Sequence, residues 1–534
     1  MRGKIFLSIA ALSAFLLASL LGGCGSGKKE GAADPISTAV RVDNSNCTNA
    51  CHAAAIDSET GAKIVDEWNA STHATGAVLI DCQSCHGGGS THFGVGPIPH
   101  QNPDADLVCS SNSCHPALGF PHTPNITPAM LASAIIWDNM SSAGYVTSQN
   151  TGKCRTCHNP HNNTVLQENR DWGNSRHGRK DGAAWIHYDF KARANCNRCH
   201  TTTGHIKYVT SKDKSAWAAP NSADKTKEVL RCDGCHKDYN FGPDNTRNYG
   251  PVTMDYTDNI FTYPDAGISN LCIECHAGRE TGDTIKNANQ PGTTFRNFSS
   301  TGFVNSHYLT AGATIFTKSG YEYTGLIYTD PPAYLHKDIG RAGTGIPNTT
   351  SGPCSGCHMT SPSPSDALRG HSHTFRPETS TVCFSCHAGP TFADITAVPE
   401  TGFLAALAAL NVELAVNPFR KMFWADKNPY FFTDATFSTA LRSWHSVGGP
   451  VTDKTTSGKN NMGAAFNYNL LVHDPGAFAH NSTYVKRLIF DSIDWLDDNI
   501  LSNNSVVATI NGLTGLTAQQ KADAIAYLNA GVRP

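Results

Sequence analysis

A chain of 534 residues with a formal charge of −3 lacks the basic excess that nucleic acid or an anionic membrane surface selects. Hydrophobic residues make up 39%, against 47 Gly and 28 Pro, so the polypeptide alone buries too little apolar surface to offset its chain entropy. The length would suit roughly three or four ordinary domains, yet the composition does not furnish them with cores.

The first 23 residues read as a secretion signal. Arg2 and Lys4 precede an apolar stretch from Ile5 to Leu21, and Leu21-Gly22-Gly23 leads into Cys24. Small residues before an isolated cysteine resemble a bacterial lipobox, which makes Cys24 the lipidation site. Gly25 follows where an inner-membrane retention signal would place Asp, so the expected location is the outer membrane, lipid-anchored on its periplasmic or extracellular face. Residues 24–46 form the anchor and a flexible tether.

From residue 47 the cysteines come in pairs followed at once by histidine. Seven pairs read C-x-x-C-H: Cys82/Cys85/His86, Cys154/Cys157/His158, Cys196/Cys199/His200, Cys232/Cys235/His236, Cys272/Cys275/His276, Cys354/Cys357/His358 and Cys383/Cys386/His387. Two are stretched, Cys47/Cys51/His52 by one residue and Cys109/Cys114/His115 by two. Two thiols that add across vinyl groups, with an imidazole held beside them for the iron, are what covalent attachment of haem c requires. A disulfide framework would place cysteines without regard to histidine, and a zinc site would share one metal between two C-x-x-C units. A local disulfide stays open for the stretched pairs, but a longer loop still lets both sulfurs reach their vinyls. The expectation is nine haem groups, with His52, His86, His115, His158, His200, His236, His276, His358 and His387 as proximal iron ligands.

Successive motif histidines lie 29 to 43 residues apart, except for one gap of 82. No unit is long enough to enclose its own haem, so neighbouring haems must cover one another. Fifteen further histidines exceed the nine vacant positions. The candidate distal ligands are His73, His92, His122, His161, His177, His187, His307, His336 and His373. His100, His205, His371, His445, His473 and His480 rank lower, with His480 the first replacement. His161 follows His158 too closely to reach round the same haem. Trp68 to His73 and Trp172 to His177 both read W-x-x-S-x-H, an internal repeat expected of equivalent ligand segments. Within the long gap, Ile315-Phe316 and Tyr321-Glu322-Tyr323 predict a hairpin, with a third strand at Leu326 to Tyr328.

Beyond Cys386 no cysteine occurs and helical periodicity takes over. Phe403 to Leu410 predicts an apolar helix, Tyr484 to Ile500 an amphipathic one, and Thr517 with Gln520 a capping box opening a last helix that stops near Gly531. The fold class expected is a haem-packed assembly of irregular loops, short helices and few short strands over 47–390. A small, mainly helical, haem-free region follows over 391–534.

With these motifs in place, the chain resembles the outer-membrane multihaem c-type cytochromes of dissimilatory metal-reducing bacteria. The phrases GGGSTHFGVGP, CRTCHNPH, NSHYLTAGATIF, GYEY and FNYNLLVHDPGAFAHN carry the likeness. The resemblance implies mostly bis-histidine haems. It also implies respiratory electron transfer between periplasmic or outer-membrane c-type cytochromes, with a porin-like conduit among the partners, and extracellular acceptors such as ferric oxides. The alternative is a multihaem reductase of a small oxyanion with one open haem. Such reductases commonly carry C-x-x-C-K, and here Lys237 follows His236 without replacing it. The expectation is therefore an electron carrier, not an enzyme.

Overall fold

The computed structural model describes principally residues 39–57, 61–77, 79–92, 98–100, scattered positions between 158 and 178, 190–217, 230–237, 250–344, 352–359, 372–377, 381–389 and 391–534. Described residues divide into two compact units. One comprises Met1–Arg247 with Ser361–Arg376, the other Asn248–Thr360 with Pro377–Pro534. The protein is moderately helical. Among the described residues the strands form three two-stranded antiparallel ladders and no closed sheet, in keeping with the expected class.

The first unit is a string of short helical turns. Among its described residues the buried hydrophobic side chains are Trp172, Phe190 and Tyr208. Among the described residues of this unit, three such side chains make only a small apolar core.

The second unit has an orthodox core. Helix Phe392–Val416 begins at a capping box, with Thr391 Oγ1 accepting from the Asp394 amide and Asp394 Oδ2 from the Thr391 amide. It runs through Pro399 and packs Phe403, Ala406, Leu410 and Leu414 inward. This helix is long and apolar enough to cross a membrane, and 39% of its most apolar window is buried in the protein core. Helix Ser482–Asp498 starts where Asn481 accepts from the Tyr484 amide, buries Val485, Leu488, Ile489, Ile493 and Leu496, and stops at Asn499 in the left-handed region. The expected final helix spans Ala518–Leu528 behind the Thr517/Gln520 capping box and ends at Asn529.

Residues Ile285, Phe298, Val304, Tyr321, Tyr323 and Tyr328 share this core with Phe403 to Ala530. Cysteine content places a boundary at residue 390; compactness divides the chain elsewhere.

The hairpin predicted at Ile315–Tyr328 does not form. Ala311–Ile315 is a short helix and residues 321–328 carry no strand. Their backbone groups are satisfied by side chains. The Tyr321 amide donates to Asn467 Oδ1 at 2.7 Å, Asn467 Nδ2 returns a bond to the Tyr321 carbonyl, and the Gly320 amide donates to the Tyr484 hydroxyl. The Tyr321 ring lies against helix Lys454–Val472 at Gly463, where an added Cβ would fall 2.1 Å from ring carbon Cδ1. Aromatic residues that read as strand formers are instead laid across a helix that glycine has cleared.

Candidate haem-ligating centres

Each described motif is a single helical turn. The histidine amide donates to the first cysteine's carbonyl in His200 to Cys196, His236 to Cys232 and His387 to Cys383, at 3.2, 2.9 and 2.8 Å. A helical turn sets residues i, i+3 and i+4 on one face, so both sulfurs and the imidazole emerge together. The second cysteine of each pair completes that turn. Cys85 lies in helix Cys82–His86, which Asp81 caps by accepting from the Ser84 amide, and Cys275 lies in helix Asn270–His276. The Cys199 amide donates to the Cys196 carbonyl at 3.2 Å. These three cysteines are half-buried, whereas Cys235 is exposed. Its motif departs from those of Cys85, Cys199 and Cys275: helix Cys232–Cys235 stops at the cysteine, and His236 is already extended, at φ −99° and ψ 144°. The Cys235 carbonyl there accepts from the Arg247 amide, and His236 bridges to Thr246, so the chain leaves the turn to pair with a returning segment.

The stretched motif reaches the same result by a wider turn. Asn46–Cys51 is a π-helix, and the His52 amide still donates to the Cys47 carbonyl, at 3.0 Å. The extra residue is absorbed in the i to i+5 turn. Neighbouring motifs lie side by side: the thiols of Cys47 and Cys82 are within hydrogen-bond reach, as are those of Cys272 and Cys354.

Four of the described motif histidines recur in one geometry, while His200 is stacked on the Phe190 ring at 4.0 Å. His52 and His92 have ring centres 6.0 Å apart, His236 and His373 6.3 Å, His387 and His336 5.9 Å, and His358 and His480 6.2 Å. A metal held by two imidazole nitrogens at about 2 Å each, with ring centres about 1 Å behind them, sets those centres about 6 Å apart. Each pair joins a motif histidine to one from elsewhere in the chain. In ring separation these four pairs could hold an iron between two imidazoles.

A second feature is the way the rings are held. Nδ1 lies against a backbone carbonyl in His86 (His100 O, 2.8 Å), His276 (Leu309 O, 3.3 Å), His336 (Ala479 O, 2.6 Å) and His205 (Arg198 O, 3.1 Å). It lies against a carboxylate in His161 (Asp57 Oδ2, 2.9 Å) and His480 (Asp474 Oδ1, 3.0 Å). Such a bond fixes the tautomer and leaves Nε2 for a metal. Burial holds His86, His276 and His336 below the usual imidazole range and His205 down at about 4, which favours the neutral, ligating form. At His480 burial also pulls downward, but the charge and hydrogen bond of Asp474 outweigh it and the net displacement is upward.

The W-x-x-S-x-H repeat is one structure used twice. Trp68 Nε1 donates to the Ile80 carbonyl and Trp172 Nε1 to the Leu230 carbonyl, each at 2.8 Å. Ser71 and Ser175 hydroxyls each bond back to their tryptophan carbonyl at 2.7 Å. The amides of Ile80 and Leu230 donate to the carbonyls of His73 and His177. Ile80 and Leu230 both stand two residues before a motif cysteine, so each repeat ties its histidine segment to the start of a haem motif.

Of the candidate distal ligands, His92, His336 and His373 stand opposite motif histidines. His161 is held by Asp57, and His307 adopts φ +79° with its amide on Asn305 Oδ1. His480, ranked only as a replacement, stands opposite His358. Its sequence signal was the run His473-Asp474-Pro475-Gly476, which places a carboxylate within reach of the ring. His100 contributes its backbone to His86, and His473 turns its ring to Asp426 and Tyr308. Cys24, Cys109, Cys114, His115, His122, Cys154, Cys157, His187 and His371 lie outside the described residues, as does the side chain of His158.

No family model and no solved structure matches the chain. Among curated proteins it is 28% identical to "C-type polyheme cytochrome OmcB" of Geobacter sulfurreducens, in each of two strains, over 98% of this chain and 99% of the relative. It is 34% identical to "C-type polyheme cytochrome OmcC" of the same species over 72% of this chain and 60% of that protein. Motif turns, paired imidazoles and this likeness converge: the chain is a homologue of the polyheme c-type cytochromes OmcB and OmcC.

Proposed function

We propose that this protein carries electrons along an array of nine covalently attached c-type haems, with bis-histidine ligation throughout. The observation that carries the reading is the recurrence of a 5.9–6.3 Å ring-centre separation in four pairs of one motif and one non-motif histidine. The axial pairs are His52/His92, His236/His373, His358/His480 and His387/His336. The remaining distal ligands come from His73, His122, His161, His177, His187 and His307.

Haem, when bound, supplies a one-electron couple; everything else is done by the chain. Motif turns present sulfurs and imidazole on one face, Nδ1 bonds fix the rings of His86, His276, His336 and His480, and adjacent motif thiols such as Cys272 and Cys354 bring neighbouring cofactors together. The attaching pairs are Cys82/Cys85, Cys196/Cys199, Cys232/Cys235, Cys272/Cys275 and the four others named from the sequence, with Cys47/Cys51 as the ninth. Two nitrogen ligands leave no open position for a substrate. The haem-bearing region is 47–390, and the helical region 391–534 attaches no haem yet lends His480 as a ligand. Acylation at Cys24 after removal of residues 1–23 holds the protein at the outer membrane. Its partners there are other c-type cytochromes and a porin-like conduit, and its acceptors are extracellular oxidants such as ferric oxides. The lipobox-like start supports the membrane setting, and the relatives' names support the c-type polyheme assignment.

The test is the electron paramagnetic resonance spectrum of the oxidised holoprotein with a haem count by intact mass. Nine haems, all low-spin, are expected. A substantial high-spin ferric signal that nitrite shifts and that turns nitrite over would replace this reading with an oxyanion reductase, and seven haems would remove Cys47/Cys51 and Cys109/Cys114 as attachment sites.

A further inference from the structure

Residues His473 to His480 touch the ligand surroundings of three motifs at once. The Leu309 amide donates to the His473 carbonyl, and the Leu309 carbonyl holds Nδ1 of His276. The Ala479 carbonyl holds Nδ1 of His336, whose ring faces His387. His480 itself faces His358. The segment is locked in place: the Ala477 amide donates to the Asp474 carbonyl at 2.9 Å and the Tyr334 hydroxyl donates to the His480 carbonyl.

Within this segment the two distal rings are held by chemically different acceptors. His336 leans on a neutral backbone carbonyl. His480 leans on Asp474, a carboxylate that is 1% exposed and whose two oxygens lie 3.0 and 3.2 Å from Nδ1. Among the described residues, the ion-pair partner of Asp474 is His480 alone. A carboxylate behind an imidazole makes it a stronger electron donor, and a buried negative charge favours the more positive oxidation state of a nearby iron. Both effects act in one direction.

We infer that Asp474 is a potential-setting residue: it holds the haem at Cys354/Cys357/His358 at a lower potential than its neighbour at Cys383/Cys386/His387, so that an electron passes downhill from the first to the second. The inference rests on the His358/His480 and His387/His336 ligation proposed above. Asp474 touches neither iron and acts through His480 as a positioning residue. Asp57 stands in the same relation to His161.

The experiment is spectroelectrochemical titration of the full holoprotein carrying Asp474→Asn, with haem count and low-temperature spin state measured on the same samples. The expected result is that one haem component moves to higher potential, the spread of g values of one low-spin species changes, every haem stays low-spin, and Asp474→Glu returns the titration toward the wild-type curve. A titration of Asp474→Asn that superimposes on the wild type, with all haems low-spin, overturns the inference. A shift that Asp474→Glu reproduces in full would also overturn it, since a merely structural role predicts equal damage from both. His480→Ala separates this from the parent reading: one haem equivalent should become high-spin, and an unchanged low-spin spectrum would overturn the ligand assignment itself.

Discussion

Glu413 is the place where the helical region should respond to pH on its own account. The residue lies on the inner face of helix Phe392–Val416, 4% exposed. Burial, with the Asp497 carboxylate adding to it, pushes its carboxyl from 4.5 up to about 7. A folded-state value raised above the unfolded one means that the folded form keeps its proton longer. The stability contributed is full below about pH 4.5 and declines as pH rises toward 7, after which the loss is constant. A displacement from 4.5 to about 7 corresponds to up to about 3 kcal/mol. Asp497 and Asp491, also pushed up by burial, add slopes of the same sign. Glu413→Gln keeps the shape and removes the charge, so the variant should match the wild type near pH 4.5 and exceed it by a few kcal/mol at pH 7.5. Amide hydrogen exchange of helices Phe392–Val416 and Ser482–Asp498, corrected for intrinsic rates, reads this locally and avoids treating a many-haem protein as two-state. Identical pH slopes in variant and wild type would refute the argument.

Gly476→Ala should convert about one haem equivalent to high-spin without removing a ligand, because an added Cβ would meet His480 Cε1 at 2.8 Å; retention of a wholly low-spin spectrum would show that the ring does not need that space. Gly463→Ala should loosen helix Lys454–Val472 by about 2–3 kcal/mol in local exchange, since the Tyr321 ring it would strike is fixed by the hydroxyl's bond to Asn460 Oδ1 at 2.6 Å. Cys24→Ser should release the cytochrome from outer-membrane fractions, checked by fractionation after a high-salt wash, and full retention would remove acylation as the main attachment.

The motif turns were legible because their chemistry is local. Two thiols and an imidazole within one turn make a pattern that no packing requirement imitates, and even the stretched first motif keeps its cysteine-to-histidine bond through a π turn. The W-x-x-S-x-H repeat was legible because each serine bonds back to the tryptophan three residues before it, although Trp172 itself reaches the Leu230 carbonyl far along the chain. Helices with capping boxes and clear periodicity stood close to where they were expected. The aromatic run Tyr321 to Tyr328 misled because its alternation looks like a strand, while its hydrogen-bond partners, Asn467 and Tyr484, stand more than a hundred residues away. Nothing near the run announces a helix with glycine at the point of contact.

The candidate distal ligands sit between these extremes. His336 and His373 follow no spacing rule relative to His387 and His236, since the loop that returns a second imidazole to an iron has no fixed length. His480 ranked as the first replacement, and its ring stands opposite His358 from a region that carries no cysteine. That position has a physical advantage. A haem-wrapped loop gains its order from the cofactor and offers little to fix a second ring, whereas a segment between two packed helices is rigid without it. Helix Lys454–Val472 ends one residue before His473 and helix Ser482–Asp498 starts two residues after His480, so both ends of the intervening segment are pinned by an apolar core. That arrangement lets a buried carboxylate be held behind an imidazole at a fixed distance, a placement that an unsupported loop would relax toward solvent. On the ligation proposed above, the helical region acts as a rigid arm for His480 and the Asp474 carboxylate behind it, which gives its ordinary protein core a use in a chain otherwise built around its cofactors.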